Sequence, residues 1–564
     1  MGDTPNNNRL TRICFYLSWL VISLLQANFT ELLADEAYYW KYAQDLQWGY
    51  FDHPPVVAAM IKPGYRLFQN ELGVRLLFVL SSIGFLYLME MLVRPQKLLR
   101  FYLVLASIGA FHFLGFLALP DMPLLFFSAS FLYLYKKYLA TDGWIVSILL
   151  AVNATLLLLS KYHGILLIGF TVLSNPALLK RKTFWLIALL SVNLFIPHIR
   201  WQIAHDFPSL KYHLYERSGG TYHIEYTLNY LLSVLLVFGP VAGIVLAWHA
   251  IKANTRLSTF DHTLKTILIG TLVFFLAMTF KGRAEANWVA IALIPALVLG
   301  YKHIEHKDWF PRFTSYTFGI SLVLIFIIRF YIVYDVLPDK PVFAYIKNKL
   351  HHTHSWAKAV EEKAGDKPVV FMNKYQYAAL YEFYTGNEAI SLNNRMGRKN
   401  QYNIWKDELQ IQGKDVMIIP NFDCPNMDSF ATGKGVFQYA YIQNFRSSPT
   451  IRIQPSINKI TAHPGEEISI QFNVYSGSKD FDLEANNDLL PMVHAMLFQK
   501  DEFISDHNEH YLLLNRMVND GQKYTLSFRV PEKKGSYALY LDIATGWLPP
   551  AISSDKIELK VLSH

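Results

Sequence analysis

Between residues 13 and 334 the chain is a succession of apolar runs, each about as long as a helix needs to cross a ~30 Å hydrocarbon layer. They fall at 13–29, 73–93, 101–119, 122–139, 144–160, 163–179, 183–199, 228–250, 264–280, 286–301 and 315–334. The pattern predicts about eleven spanning helices. No small-residue cleavage site follows the first run, which is therefore read as a span rather than as a removable signal. After residue 340 the runs stop. Residues 369–371, 416–419 and 436–442 predict strands, and 375–384 a helix stopped by Gly386, together a small α/β module. From 449 onward short segments alternate apolar and polar positions, at 468–474, 492–498, 524–530 and 537–543. Turn signals at Pro464-Gly465, Gly477 and Gly535 separate them, the pattern of an antiparallel β-sandwich. The expected domains are a membrane domain over 1–335, an α/β domain over 340–447 and a β-sandwich over 449–564.

Composition narrows the class. Of 564 residues, 52% are hydrophobic and 17% charged, against about 25% charged in soluble chains. This excludes disorder, a coiled coil and a collagen-like fibre. Two cysteines, Cys14 and Cys424, exclude a disulfide scaffold and a Cys-rich metal site. A net charge of +8 fits nucleic acid or basic membrane loops, and position decides. Arg9 and Arg12, then Arg94, Lys97 and Arg100, then Lys136 and Lys137 occupy every second loop. Lys180, Arg181 and Lys182, then Lys252, Arg256 and Lys265, then Lys302, Lys307 and Arg312 continue the alternation. Basic loops mark the cytoplasmic side, so no nucleic-acid partner is expected. An odd number of spans puts everything after about 335 outside the cytoplasm.

Function is then sought in the outer loops, where ionisable residues beside a bilayer are functional candidates. The densest constellation runs Ala34-Asp35-Glu36-Ala37-Tyr38-Tyr39-Trp40, then Trp48-Gly49-Tyr50-Phe51-Asp52-His53-Pro54-Pro55. A carboxylate there can take a proton from a hydroxyl nucleophile or ligate a cation. The plain alternative is an interfacial loop. Asp121, between Pro120 and Met122-Pro123, reads by itself as a helix N-cap. Lys161-Tyr162-His163 interrupts two apolar runs, and Lys211, Arg217, Lys281 and Arg283 add positive charge on the same side. Cations there need a partner. A phosphate is a natural one; lipid headgroups, Glu216 and Glu285 are the alternatives. His198, His205 and Asp206 include metal-ligating types without a spacing that fixes a ligand set, so a divalent cation stays open as cofactor. No phosphate-binding loop, dinucleotide fingerprint or zinc-protease helix is present in the sequence. Any energy for the chemistry therefore arrives in the substrate.

The two parts of the first outer loop, with Pro120-Asp121-Met122-Pro123-Leu124, resemble the acidic loops of the dolichyl-phosphate-mannose protein mannosyltransferase superfamily. That superfamily includes bacterial aminoarabinose transferases acting on lipid A. Ser160-Lys161-Tyr162, Trp201, His205-Asp206-Phe207 and Asn287-Trp288 fall where bacterial members carry similar residues. Arg398, Asn400-Gln401-Tyr402 and Trp405 look like a feature of their outer domain. The resemblance covers about 10–445. It implies a polytopic α-helical membrane protein of GT-C type and sugar transfer, with inversion, from a polyprenyl-phosphate donor to an envelope lipid, glycan or protein hydroxyl. It also implies a site on the outer or lumenal side of the membrane, and the low cysteine count with a polyprenol-type site leans toward a bacterial inner membrane with a periplasmic site. Asp35, Asp121 and Glu36 are the expected catalytic carboxylates. Tyr39, Asp52, His53, Lys161, Tyr162, Trp201, His205, Lys281, Arg283 and Trp288 are the expected substrate-binding residues. The competing class is a flippase of lipid-linked sugars, which predicts broken mid-bilayer helices and inverted halves.

Overall fold

The computed structural model describes residues 5–213, 222–239, 241–253, 258–405, 407–476, 491–499, 502–512 and 521–563. The chain divides into two compact units, Met1–Thr353 and His354–His564.

The first unit is helical. Its helices are α1 (Pro5–Phe29), α2 (Ala34–Gln44), α3 (Val56–Leu67), α4 (Glu71–Val93), α5 (Leu98–Ala106), α6 (Gly109–Leu114), α7 (Asp121–Thr141) and α8 (Trp144–Ser160). Then come α9 (Gly164–Ser174), α10 (Lys182–Ala204), α11 (Pro208–Lys211), α12 (Ile224–Phe238), α13 (Ala242–Lys252), α14 (Thr259–Met278), α15 (Leu293–Ile304), α16 (Phe310–Val333) and α17 (Pro341–Leu350). Each of the eleven apolar runs falls on helix, but they are not eleven uniform rods. Among the described residues six helices are long and apolar enough to cross a membrane, and one bent pair, α12 with α13, passes the same test together. The run at 101–119 is divided between α5 and α6. The run at 163–179 ends its α-helix at Ser174 because Asn175 precedes Pro176, a position that disfavours helical backbone.

Buried polar groups join α1 to α4 in antiparallel fashion. At one end Glu90 of α4 accepts from Arg12 (2.8 Å) and Tyr16 (2.9 Å) of α1 and from Tyr102 of α5 (2.7 Å). At the same end of α14 and α15, Lys302 donates to Asp261 at 3.1 Å. These are the basic loops of the sequence pattern. At the other end of α4, Arg75 donates to the carbonyls of Ala27 and Thr30, the C-terminal turn of α1 and the residue just past it.

Helix α18 (Thr353–Ala364) leads into the second unit, which carries α19 (Tyr375–Thr385) and α20 (Asp407–Gln410). Its first sheet orders β2 (Ala389–Leu392), β1 (Val369–Met372), β3 (Val416–Ile419), β5 (Gly435–Ile442) and β4 (Asp428–Thr432). The first three strands are parallel, so β1 needs a crossover to reach β2, and α19 supplies it. Two further sheets follow, joining β6 (Ile451–Pro455), β7 (Lys459–Ala462), β8 (Glu467–Ser476), β9 (Pro491–Gln499), β10 (Glu502–Leu512), β11 (Gln522–Arg529), β12 (Gly535–Thr545) and β13 (Ile557–Val561). Their orders are β10-β9-β12-β13-β7 and β11-β8-β6. Ile470, Phe472 and Leu526 from one sheet meet Leu497, Leu539 and Leu541 from the other in a shared core. Alternation explains this: in β13, Ile557, Leu559 and Val561 are buried and the residues between them exposed. Gly477 lies outside the described residues.

Candidate functional site

The end of the first unit opposite Glu90 collects the outer loops. Its centre is a buried ion pair. Glu36 is the third residue of α2 and reaches back to the backbone N–H of Leu33 at 3.0 Å, closing the helix N-terminus. Arg75, the fifth residue of α4, grips Glu36 with two prongs, Nε to Oε1 at 2.8 Å and a guanidinium NH₂ to Oε2 at 2.5 Å. The same guanidinium also donates to the carbonyl of Glu31 at 2.9 Å. Glu36 Oε1 further accepts from the backbone N–H of Ala118 at 2.8 Å. Both side chains of the pair are 0% exposed. Both carboxylate oxygens of Glu36, one of the expected catalytic carboxylates, are thus engaged in holding the two loops together. Arg75, inside an apolar run, was not singled out from sequence; a lone arginine just within a span's outer edge was the available signal.

This latch ties together the two acidic loops. Asp35 precedes Glu36 at the start of α2 and is exposed, while Asp121 follows Ala118 by three residues. With neighbouring Cα atoms 3.80 Å apart, the connected path holds the Cα atoms of Asp35 and Asp121 within about 25 Å, at the same end of the bundle.

Asp121 is the first residue of α7, not its cap. Its Oδ1 accepts from Lys161 Nζ at 2.7 Å and its Oδ2 from Asn287 Nδ2 at 2.9 Å. Asp121 and Lys161 are 2% and 4% exposed. Lys161 sits where α8 ends and the backbone turns extended, which aims its side chain across to α7. Lys161 is thus an ion-paired residue rather than an isolated cation. Asn287 belongs to a short 3₁₀ segment, Ala286–Ala292. Beside it the Trp288 ring lies 5.0 Å from that of His163, and both lie against Phe275.

The aromatic loop packs around a second acid. Tyr38 and Tyr42 donate to Asp52 Oδ2 at 3.0 and 3.2 Å. Tyr42 stacks on Tyr50 with ring centroids 4.1 Å apart. His53 meets Tyr39 edge-on at 5.3 Å. The loop is fastened to α10 by His198, whose Nδ1 faces the carbonyl of Trp48 at 2.7 Å and whose Nε2 faces Tyr162 Oη at 3.1 Å. A neutral ring satisfies both: it donates to the carbonyl and accepts from the phenol. Burial raises the Tyr162 pKa well above its ordinary value, so it remains a donor. Gln202 donates to Tyr162 and to Ser209, and Ser209 to the carbonyl of Tyr50. Trp201 donates to Gln47 at 2.8 Å and stacks on His205 at 4.3 Å. A Cβ on Gly49 would lie 2.5 Å from the Trp201 ring, so only glycine permits this approach.

His198 and Trp201 are therefore occupied in holding the loop. Among the described residues no three His, Cys, Asp or Glu side chains converge as a metal cradle. Lys281 and Arg283 follow α14 and stay exposed, Arg283 within 3.7 Å of Glu285. Lys211 pairs with Asp206. Arg217 and Glu216 lie outside the described residues.

Comparison with known proteins bears on the fold and the family resemblance. The model of the dolichyl-phosphate-mannose-protein mannosyltransferase family matches residues 52–201. The lipid A galacturonosyltransferase RgtD of Rhizobium johnstonii is 22% identical over 316 residues, 52% of this chain and 65% of that relative. The chain thus spans just under two thirds of its length. Crystal structures of ArnT from Cupriavidus metallidurans, one apo and one bound to undecaprenyl phosphate, superpose with a TM-score of 0.56 at 15% identity. Each match covers 76% of this chain and 97% of that one. At that identity the likeness establishes the fold.

Proposed function

We infer that this chain, a member of the GT-C glycosyltransferase superfamily, moves a sugar from a polyprenyl-phosphate donor to an envelope acceptor at the periplasmic face of a bacterial inner membrane. The observation that carries the reading is the latch through Glu36, which brings the loops of Asp35 and Asp121 to one end of a membrane-type bundle. The undecaprenyl phosphate bound to ArnT supports the donor class. The lipid A substrate in the relative's name makes a lipid A-type hydroxyl the first acceptor to test.

In this reading Asp35 accepts the proton of the acceptor hydroxyl. The oxygen attacks the anomeric carbon from the face opposite the phosphate, and the carbon–oxygen bond to the lipid phosphate breaks with inversion. The phosphate leaves with the electron pair. A phosphate is a good leaving group, so the protein's task is to stabilise charge rather than to donate a proton. Lys161, Lys281 and Arg283 supply positive charge, and Lys161 is held in place by Asp121 and kept out of water. His53 and Tyr39 contact the sugar or phosphate. Asp52, Tyr162, Trp201, His205 and Trp288 shape the walls. Lipid-linked substrates explain why the site sits at the end of membrane helices.

The test uses purified full-length protein in detergent with radiolabelled polyprenyl-phosphate sugar and extracted envelope lipids. The reading predicts label in the acceptor fraction and free lipid phosphate. Movement of donor across a proteoliposome without transfer would favour a flippase instead.

A further inference from the structure

We propose that α17 is a membrane-surface helix whose apolar face enters the outer headgroup layer while a basic rim meets the phosphates of the bilayer lipids. The helix is inside out. A helix on a water-facing surface normally turns its lysines outward and its apolar residues inward. Here Val342 and Tyr345 are 76% and 72% exposed, Ile346 is exposed too, and Lys347 is 8% exposed.

The cause of the inversion is a polar clamp. Lys347 donates to Asp335 at 3.0 Å, to Asp339 and to the carbonyl of Leu337 at 3.1 Å. His352 also contacts Asp335, at 2.8 Å. Asp335 lies two residues past the end of α16, so the clamp keeps the middle of α17 within a side chain's length of that helix end. The headgroup region extends only about 5–7 Å beyond the hydrocarbon on each side. The exposed stripe of α16, including Phe326, Ile327 and Phe330, leads through Tyr334 directly to it.

Charge argues for lipid over water or an apolar partner. Lys340 and Lys349 flank the apolar face, and Lys349 Nζ lies 4.5 Å from the Tyr345 ring centroid. A hydrogen bond with Lys349, then the charges of Lys349 and Arg283, lower the Tyr345 pKa, consistent with Arg283 facing the same rim. Among the described acids nearby, Glu285 lies near Arg283, Glu31 accepts from the Thr353 N–H, and Asp335 and Asp339 are paired with Lys347. An apolar face with tyrosine at its centre and lysines at its edges is the composition of an interfacial helix. Anionic lipids attract such a rim. The inference uses only the membrane location, and stands or falls apart from sugar transfer.

The experiment places single nitroxide-labelled cysteines at Val342, Tyr345 and Ile346 in a Cys14→Ala, Cys424→Ser background. The full chain is reconstituted in phosphatidylglycerol/phosphatidylcholine nanodiscs. Asp308→Cys serves as the water-facing reference and Phe326→Cys as the lipid-facing one. Power saturation with oxygen and with a water-soluble nickel chelate is then compared. The expected result is a severalfold higher oxygen-to-nickel ratio at 342, 345 and 346 than at 308. A ratio equal to that at 308 overturns the proposal. Low access to both reagents also overturns it, because a protein surface then covers the face. Tyr345→Trp with brominated lipids checks the placement without a label: quenching beyond that of the parent chain's own tryptophans is expected, and no increment over the parent counts against the proposal.

Discussion

Asp35 and Glu36 are adjacent carboxylates in one helical turn with opposite surroundings. Glu36 is buried and bonded to Arg75 and two backbone amides, while Asp35 is exposed. Replacing Glu36 by Gln strips the counter-charge from a fully buried guanidinium, a change that costs about 3–5 kcal/mol. Glu36→Gln is expected to lose most folded protein, measured as yield and thermal midpoint in detergent. Asp35→Asn should leave both near wild type. The pair Asp121–Lys161 follows the same rule. Lys161→Met is expected to destabilise strongly, and adding Asp121→Asn to it should recover part of the loss, because the stranded charge is then gone. Denaturation midpoints of wild type, both single variants and the double variant measure this; additive losses would deny the coupling. The acidic character of Asp35 and Asp121 was legible in the sequence. The pairings of Glu36 with Arg75 and of Asp121 with Lys161 were not, because ion pairs that join residues about 40 positions apart leave no local pattern.

Elements were legible where periodicity is long and regular. The apolar runs fall on helices, and the longer alternating segments became β8, β9, β11 and β12. Short strands such as β2, β6, β7 and β13 carry too few residues for alternation to stand out. Breaks within apolar runs were missed, since apolar content persists through Ser107 and Asn175 while helical hydrogen bonding does not. At this scale Gly49 is the sharpest constraint. Gly49→Ala forces the aromatic loop away from Trp201, an overpacking worth about 1–3 kcal/mol. It should lower the thermal midpoint and sugar transfer together. The clamp on α17 has a pH signature. Partial burial pushes the Asp335 carboxyl up, but hydrogen bonds from Lys347 and His352 bring it below its ordinary value. Its contribution is therefore present above the usual carboxylate range and is lost as pH falls through the lowered pKa. Hydrogen exchange should show α17 protected from pH 5 to 8 and released under about pH 4.

At the scale of the molecule, charge placed along the chain anticipates the two ends of the bundle. Basic loops gather near Glu90 and Asp261, and the acidic loops gather at the opposite end around Glu36 and Asp121. The alternation of basic loops suffices to assign loops to sides, but which loops touch depends on packing that no single run encodes. The central claim is that Asp35 acts on the acceptor at that outer end. The measurement that tests it most directly is turnover of purified Asp35→Asn with labelled polyprenyl-phosphate sugar, run beside donor binding and thermal stability. The account predicts a fall of at least about 100-fold in kcat, the scale of lost base catalysis, with donor affinity and thermal midpoint close to wild type. Turnover within a few fold of wild type would contradict it.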